Sequence, residues 1–430
     1  MVEKISANVY VVHHAKSSIG VTFGNAHDSG YDGMTGSSKS AEYVPFGVDD
    51  KMLHQFHQIC TSSPNKWPLL KTKRDFMLGR GIDILTKTVK DGKKEYVLEN
   101  DQETIQIDEF LENIGYYETL KAKAMDICFA SRYFVKISLS PLPLKVDTYE
   151  RVDPFHCRPK KMSASDNRIN TYVLNANFGK ADYKKSENVE IPAYDPKNPT
   201  AYPVFIVDVR DIYPGQTYHP IAEWWGTKDW TEVTNKIPKF HSSGLDNGYN
   251  IKYHISVPDN YFEKDSYPEG YDEERLKKEV LDNIGETLSG IDNVDKTLFT
   301  FHKVLSEGRY AESGIKIIPL ENKMSDDAYT SLFTTANTVQ ASGHRVLPVL
   351  AGIDTGGKLG GSGKELEAAA NFQQGFLTYS DRELLLADFQ VIKKINGWNR
   401  NKVAMFEDIK LYTYDVTPSQ ATQNPNNNAN

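Results

Sequence analysis

Apolar positions along the chain follow two periods. Over residues 49–60 and 68–78 they recur every three or four residues, with Ser62-Ser63-Pro64 as the break, which predicts two packed helices. Residues 108–114 and 116–132 predict a second helix pair around Gly115. Immediately afterwards Phe134, Lys136 and Ser138 alternate with Val135, Ile137 and Leu139, the period of a strand. Further strands are expected over 148–152, 170–176 and 204–209, separated by polar, proline-rich connections such as 191–203. A helix is expected from Lys228, with an adjustment near Pro238 because proline removes a backbone donor.

The next block predicts a small α/β module. Ile251, Tyr253, Ile255 and Val257 share one strand face. Leu276, Val280, Ile284 and Leu288 then recur every fourth residue, behind Asp272, Glu273 and Glu274 at the positive end of the helix dipole. Strands over 297–304 and 315–320 complete the module, which interrupts two helices as an insertion would.

The most legible stretch is 325–397. Ser325 can cap a helix with Asp326 and Asp327 in its first turn and a stripe of Tyr329, Leu332, Phe333, Ala336 and Val339. Its other face carries Thr, Ser, Asn and Gln. After Val346-Leu347-Pro348-Val349-Leu350 comes a loop in which Gly352 is followed by Gly356, Gly357, Gly360, Gly361 and Gly363, so the backbone there is permissive. Ser362 and Glu365 form a capping box for a new helix that runs to Asn396-Gly397, with an adjustment near Gly375. Residues 1–45 are expected to be an N-terminal arm that alternates briefly over 9–12. Residues 418–430, rich in Asn, Gln and Pro, are expected to be disordered.

Length and composition then narrow the classes. At 430 residues the chain exceeds what one core serves, so two or more lobes are expected. Apolar runs are too short to cross a bilayer, and residues 1–16 lack an apolar core of signal length, so neither a membrane span nor export is expected. Cys60, Cys128 and Cys157 are odd in number and far apart, which argues for buried thiols in a reducing compartment. A formal net charge of -8 excludes a surface that grips phosphates throughout.

Candidate chemistry is sparse. The glycine loop ends in Gly363-Lys364, as a phosphate-binding loop would, but its first glycine would fall on Lys358 and its magnesium-holding hydroxyl on Glu365. His54, His57 and Cys60 share a helical spacing that could hold zinc, without a fourth ligand, and read more simply as a helix with two polar histidines and one buried thiol. His156-Cys157 point to opposite faces of a strand. Trp224, Trp225 and Trp230 could stack bases, but with only Lys228, Lys236 and Lys239 nearby they read as core or interface packing. No catalytic set, metal cluster or cofactor site is expected.

The order helix, inserted α/β module, helix, Arg345-Val346-Leu347-Pro348 turn, glycine loop and long helix resembles the portal proteins of tailed bacteriophages. The likeness is carried by residues 315–320, 326–341, 344–352, 360–376 and 384–396, and more weakly by a region reaching back to about Asp49, including Val152-Asp153-Pro154 and the Asn247-Gly248 turn. The resemblance implies an α+β fold with a wing at 46–218, a first stem helix region at 219–242, a clip at 243–322 and a second stem helix at 323–352. A tunnel loop at 353–363, a long wing helix at 364–397 and a short C-terminal segment at 398–430 would follow. It further implies a homo-oligomeric, dodecameric ring at one capsid vertex, assembled in the host cytoplasm and part of the virion. Double-stranded DNA would pass without sequence specificity during packaging and ejection. Large terminase, a head-tail adaptor and the major capsid or scaffold protein would be the partners. The residues assigned to the DNA channel by this likeness are Asp354, Thr355, Gly356, Gly357, Lys358, Leu359, Gly360, Gly361, Ser362, Gly363 and Lys364. The alternatives are another virion connector or minor capsid component and, more remotely, an enzyme using the loop for a phosphorylated substrate.

Overall fold

The structure is a computed structural model. It describes residues 2–6, 9–12, 43–163, 168–247, 251–258, 296–302, 316–319, 326–353 and 363–410, with a few positions between 270 and 283.

In chain order, strands β1 (Val2–Ser6) and β2 (Val9–Val12) precede helices α1 (Met52–Ser62) and α2 (Lys66–Leu78). A ribbon of β3 (Ile82–Lys90) and β4 (Lys93–Val97) leads to helices α3 (Gln102–Asn113) and α4 (Tyr116–Ala130). The β-rich middle holds β5 (Arg132–Leu139), β6 (Val146–Val152), β7 (Cys157–Pro159), β8 (Thr171–Leu174), β9 (Val189–Pro192) and β10 (Val204–Arg210). Helix α5 (Lys228–Asn247) is followed by β11 (Ile251–Pro258), β12 (Lys296–His302) and β13 (Lys316–Pro319). Helices α6 (Asp326–Gly343), α7 (Gly363–Phe372), α8 (Tyr379–Leu385) and α9 (Ala387–Asn396) and strand β14 (Lys402–Phe406) complete the described chain. Among the described residues no helix is long and apolar enough to cross a membrane.

The chain divides into two compact units, one of Met1–Asn25 with Val233–Phe333 and one of Ala26–Glu232 with Thr334–Asn430. The divisions fall inside α5 and α6.

In the larger unit β5 is the central strand of a sheet ordered β10-β5-β6. The expected alternation holds from Val135 to Leu139, where Lys136 and Ser138 are half-buried between covered neighbours, and only the start of the strand is buried on both faces. Tyr133, Val135 and Ile137 enter the main core with α1, α2, α4 and α9, while Phe134 packs with Cys157, Tyr172 and Ile206 on the side of the β7-β8-β9 sheet. A strand covered twice reads as a nearly continuous apolar run. At its start the buried Arg132 forms a two-pronged ion pair with Asp208 across the ladder. Helix α4 is tied to α9 by the buried Lys123 and Asp388, 2.7 Å apart, with the Tyr116 hydroxyl donating to the same carboxylate at 2.9 Å. Burial lowers the Lys123 pKa against the pull of Asp388, so the carboxylate and the surrounding tyrosines are what make the site tolerable for an ammonium.

Residues 82–97 have little apolar alternation, because Thr and Lys break it after Leu85, and the sequence alone leaves them without an element. They form the β3–β4 ribbon, and β14 extends it into a three-stranded sheet. Lys402 of β14 donates to Asp101, the residue that caps α3 through the Thr104 amide.

The smaller unit is built on a sheet ordered β1-β2-β12-β11-β13. β11 and β12 run parallel, so the chain must cross over between them. Helical residues are described within that connection at 274–275, 277–279 and 282–283; Leu276, Val280, Ile284 and Leu288, expected on its apolar stripe, lie outside the described residues. Ile255 and Val257 are fully covered, as their shared strand face requires. From the expected N-terminal arm, β2 joins this sheet by pairing antiparallel with β12. Helix α5 runs through Pro238. In this unit Phe240 of α5 stacks on Tyr329 of α6, ring centroids 5.0 Å apart.

The adjustment expected near Gly375 is a π-helical turn, Gln373–Leu377, between α7 and α8. Residues 411–430 and Ser325 lie outside the described residues.

Candidate functional site

The site follows from how α6 ends. Its expected polar face divides in two. Asn337 and Gln340 turn inward, where Asn337 accepts from the Asn65 amide at 2.6 Å and Gln340 from the Thr231 hydroxyl at 3.3 Å. Ser331, Thr335 and Ser342 remain exposed and Thr338 half-buried, at three- and four-residue spacing along one stripe. Thus the outward stripe consists of small hydroxyls without a cation.

At the helix C-terminus Gly343 lies against Thr227: a Cβ there would stand 2.1 Å from Thr227 Cγ2. Thr227 cannot turn away freely, since its Oγ1 accepts from Lys66 at 2.6 Å and donates to the Trp224 carbonyl at 2.7 Å. His344 stacks on Trp224, centroids 6.0 Å apart, and its Nδ1 donates to the Gln340 carbonyl at 2.7 Å. Burial and the nearby Lys66 push the His344 pKa well below its ordinary value, so the ring is neutral. Burial likewise brings Lys66 down to about 7. Trp224 itself is core, its Nε1 donating to the Phe129 carbonyl at 3.1 Å. This bears out packing over base stacking for that residue.

Beyond α6 the chain turns sharply at Arg345, which has φ +55°. A four-membered charge cluster holds its side chain. Glu223 lies 2.6 Å from Lys73 and 3.2 Å from Arg345, and Asp381 lies 3.2 Å from Lys73. Burial works against ionisation of Glu223, but Lys73 and Arg345 outweigh it and lower the pKa; for Asp381 burial prevails and raises it. The backbone is held by the π-turn. Gln373, fully buried, donates to the Arg345 carbonyl at 2.8 Å and accepts from the Leu347 amide at 3.1 Å. Its neighbour Gln374 does the same for Ile409, donating at 3.1 Å and accepting at 2.8 Å. Consecutive residues of a regular helix point about 100° apart, and the widened turn lets two amides brace two separate strands of backbone.

The glycine loop begins after Ile353, which packs with Leu69, Ala341 and Val346. Of the residues assigned to the channel, 354–362 lie outside the described residues, while Gly363 and Lys364 form the exposed first turn of α7. Both feet of the loop therefore stand on ordered elements. Sequence reasoning found Arg345 only as part of a turn and missed Lys73, Glu223, Asp381, Gln373 and Gln374. The adjacent glutamines beside Gly375 were the available signal.

The other candidates lie elsewhere. His54 Nε2 bonds to the Phe178 carbonyl at 3.0 Å, and the buried Cys60 thiol is pushed up to about 12 by burial. Burial also raises Cys157. These are unreactive thiols.

No protein-family model and no curated protein matches the chain. Among solved structures, a chain from the neck of an empty gene transfer agent particle, computed with C6 symmetry, matches with a TM-score of 0.51 at 14% identity, over 86% of each chain. The two share a fold. A chain from the virion of the native particle matches with a TM-score of 0.44 at 11% identity, covering 80% of this chain and 94% of that one. An HK97 family phage portal protein from Corynebacterium diphtheriae matches with a TM-score of 0.35 at 8% identity, covering 75% and 92%. The α+β fold expected from the sequence is the fold observed.

Proposed function

We propose that this chain is the portal subunit of a tailed-phage-like particle. It forms a ring at one capsid vertex, conducts double-stranded DNA during packaging and ejection, and docks terminase on one side and a head-tail adaptor on the other. The observation that carries the reading is the fold shared over 86% of both chains with a particle neck component, one computed with sixfold symmetry. The chemistry of the chain agrees with it. A conduit must let a polyanion slide, and each fixed phosphate contact would hold it. The stripe of Ser331, Thr335, Thr338 and Ser342 offers hydroxyls without positive charge, and the net charge of -8 is unsuited to grip.

In this reading α6 lines the channel and residues 354–364 form the loop that follows the moving duplex. Lys358 and Lys364 are its two cations. The cluster of Lys73, Glu223, Arg345 and Asp381, together with Gln373, fixes the loop's first foot to the body of the subunit. The smaller unit, on the five-stranded sheet, is the docking module. The chain itself performs no catalysis.

Electron microscopy of the purified protein tests the proposal. Closed rings with an axial hole wide enough for duplex DNA are expected, and a protein that stays monomeric at every concentration, with and without scaffold, would refute it. Deleting Gly356 to Gly361 should leave the rings intact and reduce packaging; undiminished packaging removes the loop's role.

A further inference from the structure

The larger unit presents an aromatic ridge that nothing described in this chain covers. Glu365, Ala369, Phe372, Phe376, Tyr379 and Glu383 follow one another at three- and four-residue spacing through α7, the π-turn and α8. Phe372 is 49% exposed, Phe376 66% and Tyr379 57%, and the two phenyl rings stack with centroids 5.2 Å apart. The opposite face of the same segment is buried through Ala370, Gln373 and Gln374. So the ridge is held rigidly, with large apolar side chains outward and a carboxylate at each end.

The β3–β4 ribbon is the complementary feature. β14 pairs with β3 only over residues 82–86, whereas β4 continues the pairing from Thr86 to Lys90. The end of the ribbon therefore has no third strand, and residues 89–98 are exposed on both faces. Val89 is 71% exposed with Lys94 opposite it on the same face, and Lys90 and Lys93 pair on the other face beside the turn. A two-stranded ribbon alone is marginal in water, which makes an exposed apolar tip worth retaining only if something covers it. Its root is the Lys87–Tyr96 pair, just past the last residue of β3 that pairs with β14. From that root the tip extends for about four residues, or ~14 Å.

We propose that the ribbon tip of one copy lies on the aromatic ridge of the next, Val89 against Phe372 and Phe376, with Lys94 on the Val89 face and Lys90 and Lys93 at the turn reaching round toward Glu365 and Glu383. The occupant is a second copy of this chain, and the inference rests on the ring reading above. Charge complementarity selects it, because the tip carries three exposed lysines against Asp91 and Glu95, a net positive charge, and the ridge carries an exposed carboxylate at each end. Ridge and ribbon are different surfaces, so the contact is head-to-tail, the kind that closes into a ring. Size agrees as well: the three exposed ridge aromatics and Tyr96 present roughly 450 Å² of aromatic surface, about half of the ~800 Å² each partner of a stable interface contributes.

Cross-linking between copies tests this. The native cysteines are buried, so Val89→Cys and Phe376→Cys introduce the reactive thiols. Treated with a short bismaleimide, the double variant should give a ladder of covalent multimers, and a mixture of the two single variants should stop at dimers. Rings that form without inter-chain cross-links overturn the contact, as does a cross-link confined within one chain, which would put the ribbon on its own ridge. A wild-type protein that never assembles overturns the ring reading and the contact with it. Charge exchange gives an independent readout. Lys90→Glu/Lys93→Glu/Lys94→Glu should lower ring yield by about tenfold or more at fixed concentration, with an unchanged monomer circular dichroism spectrum. Adding Glu365→Lys/Glu383→Lys to that chain should restore the yield, and failure of the restoring pair counts against the assigned register.

Discussion

Replacing Gly343 by alanine places a single methyl group where α6 and the Thr227 turn have left no room. The added Cβ stands 2.1 Å from Thr227 Cγ2, against a carbon-carbon contact of roughly 3.5–4.0 Å, so the two must separate by about 1.5 Å. Rotating Thr227 would break its bonds with Lys66 and the Trp224 carbonyl, and an unmade buried hydrogen bond costs ~1–3 kcal/mol. Shifting α6 instead overpacks the core for a similar ~1–3 kcal/mol. Alanine's helix propensity returns at most about 1 kcal/mol, less at a helix end. The net expectation for Gly343→Ala is a loss of about 1–3 kcal/mol, read by chemical denaturation at a fixed assembly state. Thr227→Ser removes the offending methyl and keeps the hydroxyl, so the pair Gly343→Ala/Thr227→Ser should recover to within ~1 kcal/mol of the parent. A Gly343→Ala protein as stable as the parent, or a serine that fails to restore it, would refute the close approach as the reason for glycine.

Two further perturbations probe the same region. Gln373→Leu keeps the volume but strands the Arg345 carbonyl and the Leu347 amide, and should cost ~2–5 kcal/mol. Gln374→Leu should cost less because its partner Ile409 is half-exposed; equal losses would contradict the bracing role. On pH, burial holds His344 and His219 well below the ordinary histidine value, so the unfolded chain binds protons that the folded chain refuses. Their stabilising contribution is full above pH ~6.5 and is lost as pH falls toward their folded values, about 1.4 kcal/mol per unit and per histidine. Denaturation midpoints measured from pH 7 to 5 should fall less steeply in His344→Gln than in the parent, and parallel slopes would exclude a neutral buried ring.

Helix and strand positions were legible where burial is one-sided. Met52–Ser62 and Lys66–Leu78 bury one stripe, and the period of that stripe is local information. Legibility failed where the deciding partner is distant in sequence. β5 buries both faces at its start because a second sheet covers Phe134, and β3–β4 alternates too weakly to announce itself. Lys73, Glu223, Arg345 and Asp381 are ordinary charges until the fold brings together residues about three hundred positions apart.

By itself the sequence determined most of the helices and their order, down to a glycine loop between the Arg345 turn and a following helix, because periodicity and capping act over a few residues. It also pointed to an adjustment of the helix near Gly375. Tertiary structure alone decided that the change is a π-turn whose two glutamines hold Arg345, Leu347 and Ile409. It alone put Gly343 against Thr227 and left Phe372, Phe376 and Tyr379 facing outward. An amide or a methyl acquires its meaning from what lies within a few ångströms, and chain order carries no record of that distance.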